Sequence, residues 1–188
     1  MDEPALRLLS RAAETAVLVL VPEAETAVGR HRRGLDVAAS WGVPAHVSVV
    51  YPFAPPSAVD DEVVALLATA VAGVPAFGCT FSRTAWFGDE VLWLAPEPDQ
   101  GFRELTRSVQ AAFPAYLPYG GVHGEPVPHL TVAESRLGDV PTLRAAENAL
   151  IGELPIPATV TTAALLAGRP AAGSWSVVHE FRLGLPDA

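Results

Sequence analysis

Two short segments, HVSVV at 46–50 and HLTVA at 129–133, constrain this chain more than anything else in it. Side chains alternate across a β-strand. His46 and Ser48 therefore share one face of a strand, with Val47 and Val49 on the other. His129 and Thr131 share a face in the same way, with Leu130 and Val132 opposed. The apolar face of each strand has to pack on helices. The polar face is then free to line a groove. Each segment follows a proline-containing turn, Val43-Pro44-Ala45 in one case and Val127-Pro128 in the other.

With 188 residues, half of them hydrophobic, the chain suffices for one compact domain or for two small lobes sharing a core, and it is not disordered. No apolar run approaches the ~20 residues of a membrane span. The start, MDEPALRLLSR, is acidic, and the apolar run Ala16 to Val21 is short, which makes a poor signal peptide and a good first strand. Cys79 is the only cysteine, so neither an internal disulfide nor a cysteine-based zinc cluster is available, and the residue reads as a small core side chain. A cytoplasmic monomer, with no membrane partner, is the plain expectation. A net charge of −9 does not suit tracking along duplex nucleic acid, where basic side chains neutralise phosphates. It leaves room for one or two phosphates in a locally positive pocket. All twelve basic residues are arginine. Arginine suits phosphate geometry, although a GC-rich genome produces the same bias.

The order of elements repeats. In the first half, 16–21 reads as a strand and 24–40 as a helix interrupted by Gly29 and Gly34. The HVSVV strand follows. A helix with Ser57 as N-cap then carries Val63, Leu66, Leu67, Ala70 and Val71, and a strand alternates Phe77, Cys79 and Phe81. In the second half, VLWLA at 91–95 reads as a strand, and Phe102, Leu105, Val109 and Phe113 form a helical stripe. A Gly/Pro-rich loop, PYGGVHGEPVP, leads to the HLTVA strand. Leu143, Ala146 and Leu150 suggest a short helix, and 160–166 and 175–183 suggest strands. This pattern predicts a single bilobal α+β domain with pseudo-repeat halves at roughly 16–87 and 88–185. A pseudo-twofold axis would bring the motif strands together across a central cleft.

Two imidazoles and two hydroxyls converging on a small volume suit phosphodiester chemistry. A histidine has an ordinary pKa near 6.5, so one imidazole can serve as base while its partner serves as acid. In-line displacement at phosphorus needs proton handling on opposite sides of the atom. Hydroxyls can donate hydrogen bonds to the non-bridging oxygens, where transition-state charge collects. None of this requires a metal or an organic cofactor. The competing structural reading is two satisfied histidines at strand starts.

H-V-S-V at 46–49 and H-L-T-V at 129–132 resemble the paired signature of the 2H phosphoesterase superfamily. GVPAHVSVVYPF with a later PHLTVAE is most similar to its 2′-5′ RNA ligase-like, or 2′,3′-cyclic phosphodiesterase, members. The likeness runs from about Val17 to Leu185. It implies antiparallel-rich sheets around the cleft. It also implies hydrolysis or reversible formation of 2′-linked phosphoesters, on 2′,3′-cyclic or 2′,5′ phosphates of RNA ends or small nucleotides, or on ADP-ribose cyclic phosphate. By position, His46 and His129 would be the acid/base pair, and Ser48 and Thr131 the phosphate-contacting hydroxyls. Ser48 stands where threonine is common, which keeps the hydroxyl.

Further candidate substrate contacts are Tyr51, Phe53, Tyr119, His123 and Arg83. Tyr51 and Phe53 could stack on a base, but core or turn packing is favoured, with Tyr51 on the Val47/Val49 side of a regular strand. Tyr119 and His123 belong to a glycine-rich loop whose residues are exposed by default. Arg83 falls on the Phe77/Cys79/Phe81 face, either at the end of the sheet or directed into the cleft. Arg30, Arg32 and Arg33 read as a solvated helix face. His179 sits on an apolar face as a structural histidine, and Trp86 and Phe87 are left as aromatics near a hairpin. Two rival classes remain. One is a nucleotide- or RNA-end-binding module with little catalysis, which would not need two titrating imidazoles. The other is a metalloprotein using His46, His129 and His123, which lacks the usual short ligand spacings. A histidine-triad hydrolase is excluded, because no H-x-H-x-H occurs.

Overall fold

A computed structural model describes residues 1–117 and 126–185. The chain runs α1 (Glu3–Arg11), β1 (Glu14–Leu20), α2 (Pro22–Leu35), α3 (Val37–Ser40), β2 (His46–Val50), α4 (Asp61–Ala72), β3 (Phe77–Phe87) and β4 (Val91–Glu97). It continues with α5 (Gln100–Ala112), β5 (Leu130–Glu134), α6 (Val140–Leu150), β6 (Ile156–Val160), β7 (Thr162–Gly168) and β8 (Ser176–Arg182). The strands form two four-stranded sheets in the orders β2-β1-β7-β8 and β5-β4-β3-β6. Every pairing within them is antiparallel. This is the expected bilobal α+β fold. The sheets exchange strands, because β3 joins the sheet of β4 and β5, whereas β7 and β8 complete the sheet of β1 and β2.

The helices are exchanged as well. Helix α2, which follows β1, packs on β5 and β6, and α5, which follows β4, packs on β2. With α1 and α4 over β7 and β8, and α6 over β5, each sheet has one face covered. The main core lies under these helices. Val17, Val47, Leu165 and Phe181 meet Leu67, Phe102 and Leu105 there. On the second sheet, Leu92, Leu94 and Leu130 meet Val28 and Leu143. The motif strands β2 and β5 are edge strands and come into contact with each other, so the uncovered faces meet at one cleft.

Both motif strands carry a β-bulge at the same place. Val17 pairs with Val50 but Leu18 with Ser48, so Val49 is an extra residue. Leu92 pairs with Ala133 but Trp93 with Thr131, so Val132 is an extra residue. Two successive side chains in each strand, Val49 and Val50 or Val132 and Ala133, are then buried in the core. The residue after them returns to the open face.

Several local expectations change. The 24–40 helix is two helices, broken at Asp36, whose carboxylate caps α3 by accepting from the Ala38 amide at 2.9 Å. The N-cap of α4 is Asp60, not Ser57, and accepts from the Val63 amide at 3.0 Å. The single strand expected over 160–166 is two strands, β6 and β7, on either side of Thr161. Helix α1, unforeseen from its short acidic start, is capped by Asp2 and buries Ala5 and Leu9. His179 is exposed, because Val178 is the extra residue of a bulge in β8 and takes the buried place.

Leu105 is fully buried on the helix that covers the His46 strand. Leu105→Ala is expected to cost about 2–5 kcal/mol of unfolding free energy, read from the shift in denaturant midpoint.

Candidate active site

The two motif histidines are held by the same device. His46 opens β2, and its Nδ1 lies 2.8 Å from the carbonyl oxygen of Pro44. His129 immediately precedes β5, and its Nδ1 lies 2.8 Å from the carbonyl oxygen of Val127. A carbonyl only accepts, so in each neutral ring Nδ1 carries the proton and Nε2 is left as the basic atom. Both bonds reach back two residues into the proline-containing turn before the strand.

Register places Leu20 opposite His46 and Leu18 opposite Ser48, on the open face of the first sheet. It places Trp93 opposite Thr131 on the open face of the second. Ser48 and Thr131 are half-buried, and neither hydroxyl bonds to another described residue. The first wall of the cleft continues through Leu18, Ala164 and Leu166 to Trp41, Tyr51 and Trp175. On the second wall, His129 meets Phe87 edge-on with ring centroids 5.0 Å apart and Trp93 at 5.8 Å.

His46 senses its partner ring. Burial first, then the Arg32 guanidinium and in smaller part His129, push the His46 pKa down to about 3, against the Pro44 bond and Glu25. Burial lowers that of His129, against its own carbonyl bond. The interaction is one-sided because His46 is still neutral when His129 takes its proton. At neutral pH both rings are therefore uncharged in the free protein, and on acidification His129 is the first to charge.

Arg32, read from sequence as part of a solvated helix face, is instead 1% exposed. Its guanidinium bonds Asp36 Oδ2 at 2.7 and 2.8 Å, donates to the Val43 carbonyl at 3.3 Å and lies 3.9 Å from Glu25. Glu25 in turn accepts from the Ala45 amide at 2.9 Å. The turn before His46 is thus pinned from both sides by a buried charge network. Arg30 and Arg33 of the same run are exposed. Only the i,i+4 spacing of Arg32 and Asp36 marks this pair in the sequence. Across the cleft, Glu134 leaves β5 beyond the bulge, accepts from the Val37 amide at 3.4 Å and pairs with Arg136. Burial, reinforced by Asp36 and opposed by Arg136, raises its pKa.

The profile of the 2′-5′ RNA ligase superfamily matches residues 20–169. The chain belongs to this superfamily. The fold is similar to that of solved structures that are far apart in sequence. Apo E. coli LigT superimposes with a TM-score of 0.59 at 17% identity, over 93% of this chain and 99% of that one. E. coli LigT complexed with 3′-AMP gives 0.58 at 18% identity, with the same coverage. TT0787 of Thermus thermophilus gives 0.60 at 17%, over 90% of this chain and 97% of that one. No curated protein matches the sequence. Family membership supports phosphoesterase or ligase-like chemistry. Among the described residues, no helix is long and apolar enough to cross a membrane.

The remaining candidates separate. Tyr51 is on the His46/Ser48 side rather than the Val47/Val49 side, because the bulge at Val49 shifts the alternation. It meets Trp175 edge-on at 6.0 Å and donates to Glu14 at 2.7 Å. Phe53 is not at the cleft. It is buried in the main core against Phe113 and Tyr116, at 5.1 and 5.3 Å. Arg83 leaves the Phe81 face, since Ser82 is the extra residue of a bulge in β3. It is exposed and bonds Glu97 at 2.9 Å, and Glu97 also accepts from Ser82. Tyr119 and His123 lie outside the described residues.

Two outcomes follow from this electrostatics. Imidazole NMR of the free protein should show both rings titrating below pH 6.5, and added phosphate should raise at least one midpoint, because an anion favours the imidazolium. Since the folded rings hold fewer protons than unfolded ones below pH 6.5, their contribution to stability is complete above that pH and is lost toward pH 3. Arg32→Met should raise the His46 midpoint by removing a neighbouring positive charge. It should also destabilise the fold by roughly 3–5 kcal/mol, because Asp36 is left charged and buried. Arg32→Met with Asp36→Leu should recover much of that stability while the His46 midpoint stays high.

Proposed function

We propose that this chain is a phosphoesterase that uses two histidines and no metal, acting on 2′,3′-cyclic or 2′-linked phosphoesters of small nucleotides or RNA ends. The observation that carries the reading is the matched pair of imidazoles. Each has Nδ1 committed to a carbonyl two residues back, and each offers Nε2 beside a hydroxyl that has no described partner. In hydrolysis one Nε2 takes a proton from water as its oxygen attacks phosphorus. The other, as imidazolium, gives its proton to the sugar oxygen as the P–O bond breaks. The products are a phosphomonoester and an alcohol, and the two rings exchange protonation states. The Ser48 and Thr131 hydroxyls donate to the non-bridging oxygens. Ligation is the same step run backwards.

An uncharged pair of rings at neutral pH fits a substrate that arrives as an anion, because the phosphate itself draws a proton onto one imidazole. The reading asks for no metal. Each histidine has one ligating nitrogen left, and among the described residues no three His, Cys, Asp or Glu side chains converge. The apolar and aromatic walls, with the acidic overall charge, favour a nucleotide or an RNA terminus over duplex. The 3′-AMP complex of LigT, a relative in fold, has a ligand of that size.

Turnover of the four nucleoside 2′,3′-cyclic monophosphates and of a 2′,3′-cyclic-ended RNA in EDTA tests the reading. His46→Ala and His129→Ala are each expected to lose ~10²–10⁴-fold in kcat. Wild-type turnover abolished by EDTA, or retained in either variant, would sink it.

A further inference from the structure

The hairpin after β3 places an aromatic side chain where an apolar group is least expected. Phe87 is 37% exposed, among the few large apolar residues that are. Its ring is nevertheless fixed. It stacks on the buried Trp93 at 4.8 Å with planes 27° apart, and its edge-to-face contact with His129 is at 90°. An aromatic side chain packed against Trp93 and His129 and still more than a third exposed offers a planar ring a stacking surface beside a reacting imidazole.

We infer that Phe87, backed by Trp93, is the surface on which the substrate's nucleobase stacks, which sets the leaving sugar oxygen on the His129 side of the phosphate. The inference deepens the phosphoesterase reading and rests on it for the identity of the ligand. The other aromatic group of the cleft is less suited. Trp175 is buried, Trp41 stacks on it at 6.5 Å, and the Tyr51 hydroxyl is tied to Glu14. No described aromatic ring touches His46, so the attacking water is assigned to its side. Asp89 and Glu90 are exposed directly after Phe87, and the negative charge of this hairpin disfavours additional phosphates beside the ring. The substrate class is therefore a nucleoside carrying one phosphate group at its 2′ and 3′ oxygens.

The order of charging supports the same orientation. His129 is the ring that gains a proton first, as the donor to a leaving oxygen must, and His46 stays a free base.

Calorimetry with adenosine 3′-monophosphate and with inorganic phosphate, on wild type, Phe87→Ala and Phe87→Tyr, tests the platform. Phe87→Ala should weaken the nucleotide roughly 5- to 100-fold and leave phosphate unchanged, the span expected for one base–aromatic stack. Phe87→Tyr, which keeps the ring, should restore nucleotide affinity. In turnover, the loss should fall on KM for nucleoside cyclic phosphates and be absent for a base-free methyl riboside cyclic phosphate. Equal losses for nucleotide and phosphate would mean that the ring only supports His129, and no loss for either would mean that the base lies elsewhere. Both overturn the inference. Ring-dependent nucleotide binding without any turnover would instead overturn the enzyme reading and leave the platform standing.

Discussion

Everything in this molecule depends on each sheet having only one face covered by the long helices. Antiparallel sheets tolerate this, because their hydrogen bonds close between neighbouring strands and one face can meet water. Two of the covering helices come from the opposite strand pair: α2 on the β5 sheet and α5 on the β2 sheet. The exchange ties the lobes together through their cores and leaves the two uncovered faces to meet. A chain that packed each helix on its own sheet would make two separate sandwiches, with no geometric reason to bring His46 near His129.

Within that frame, the site is rigid because its backbone is held by buried groups. The Arg32–Asp36 pair and Glu25 fix residues 43–45, and the turn then fixes the His46 ring through its own carbonyl. The cost of burying Arg32 is offset by several bonds, and its charge adds to burial in keeping His46 neutral. On the other side, packing rather than charge does the holding, because His129 is wedged against Phe87 and Trp93. The two histidines are thus alike in hydrogen bonding and unlike in electrostatic surroundings, a difference on which unlike proton roles can rest.

The bulges at Val49 and Val132 show how the two levels meet. The alternation H-x-[S/T] is a property of three residues, and any strand obeys it. Beyond the third residue, the alternation is broken because one extra residue is accommodated and two consecutive apolar side chains are buried. This is why reasoning from strict alternation put Tyr51 on the wrong face, and why the bulges at Ser82 and Val178 misled it about Arg83 and His179.

The sequence by itself determined the elements with strong periodicity, the paired motif, the shared face of each histidine with its hydroxyl, and the two-lobed α+β class. All of these follow from local spacing and from apolar surface that has to be buried. It also carried the family, since the motif and the turn before it are contiguous. What only the tertiary structure decided are the features that need two distant segments to be near one another. These include the strand exchange between sheets, the burial of Arg32 within a run that looks solvated, and the wall of Phe87 and Trp93 against His129. The physical reason is that burial and charge are properties of surroundings, and the surroundings of these residues come from segments that no local pattern links to them.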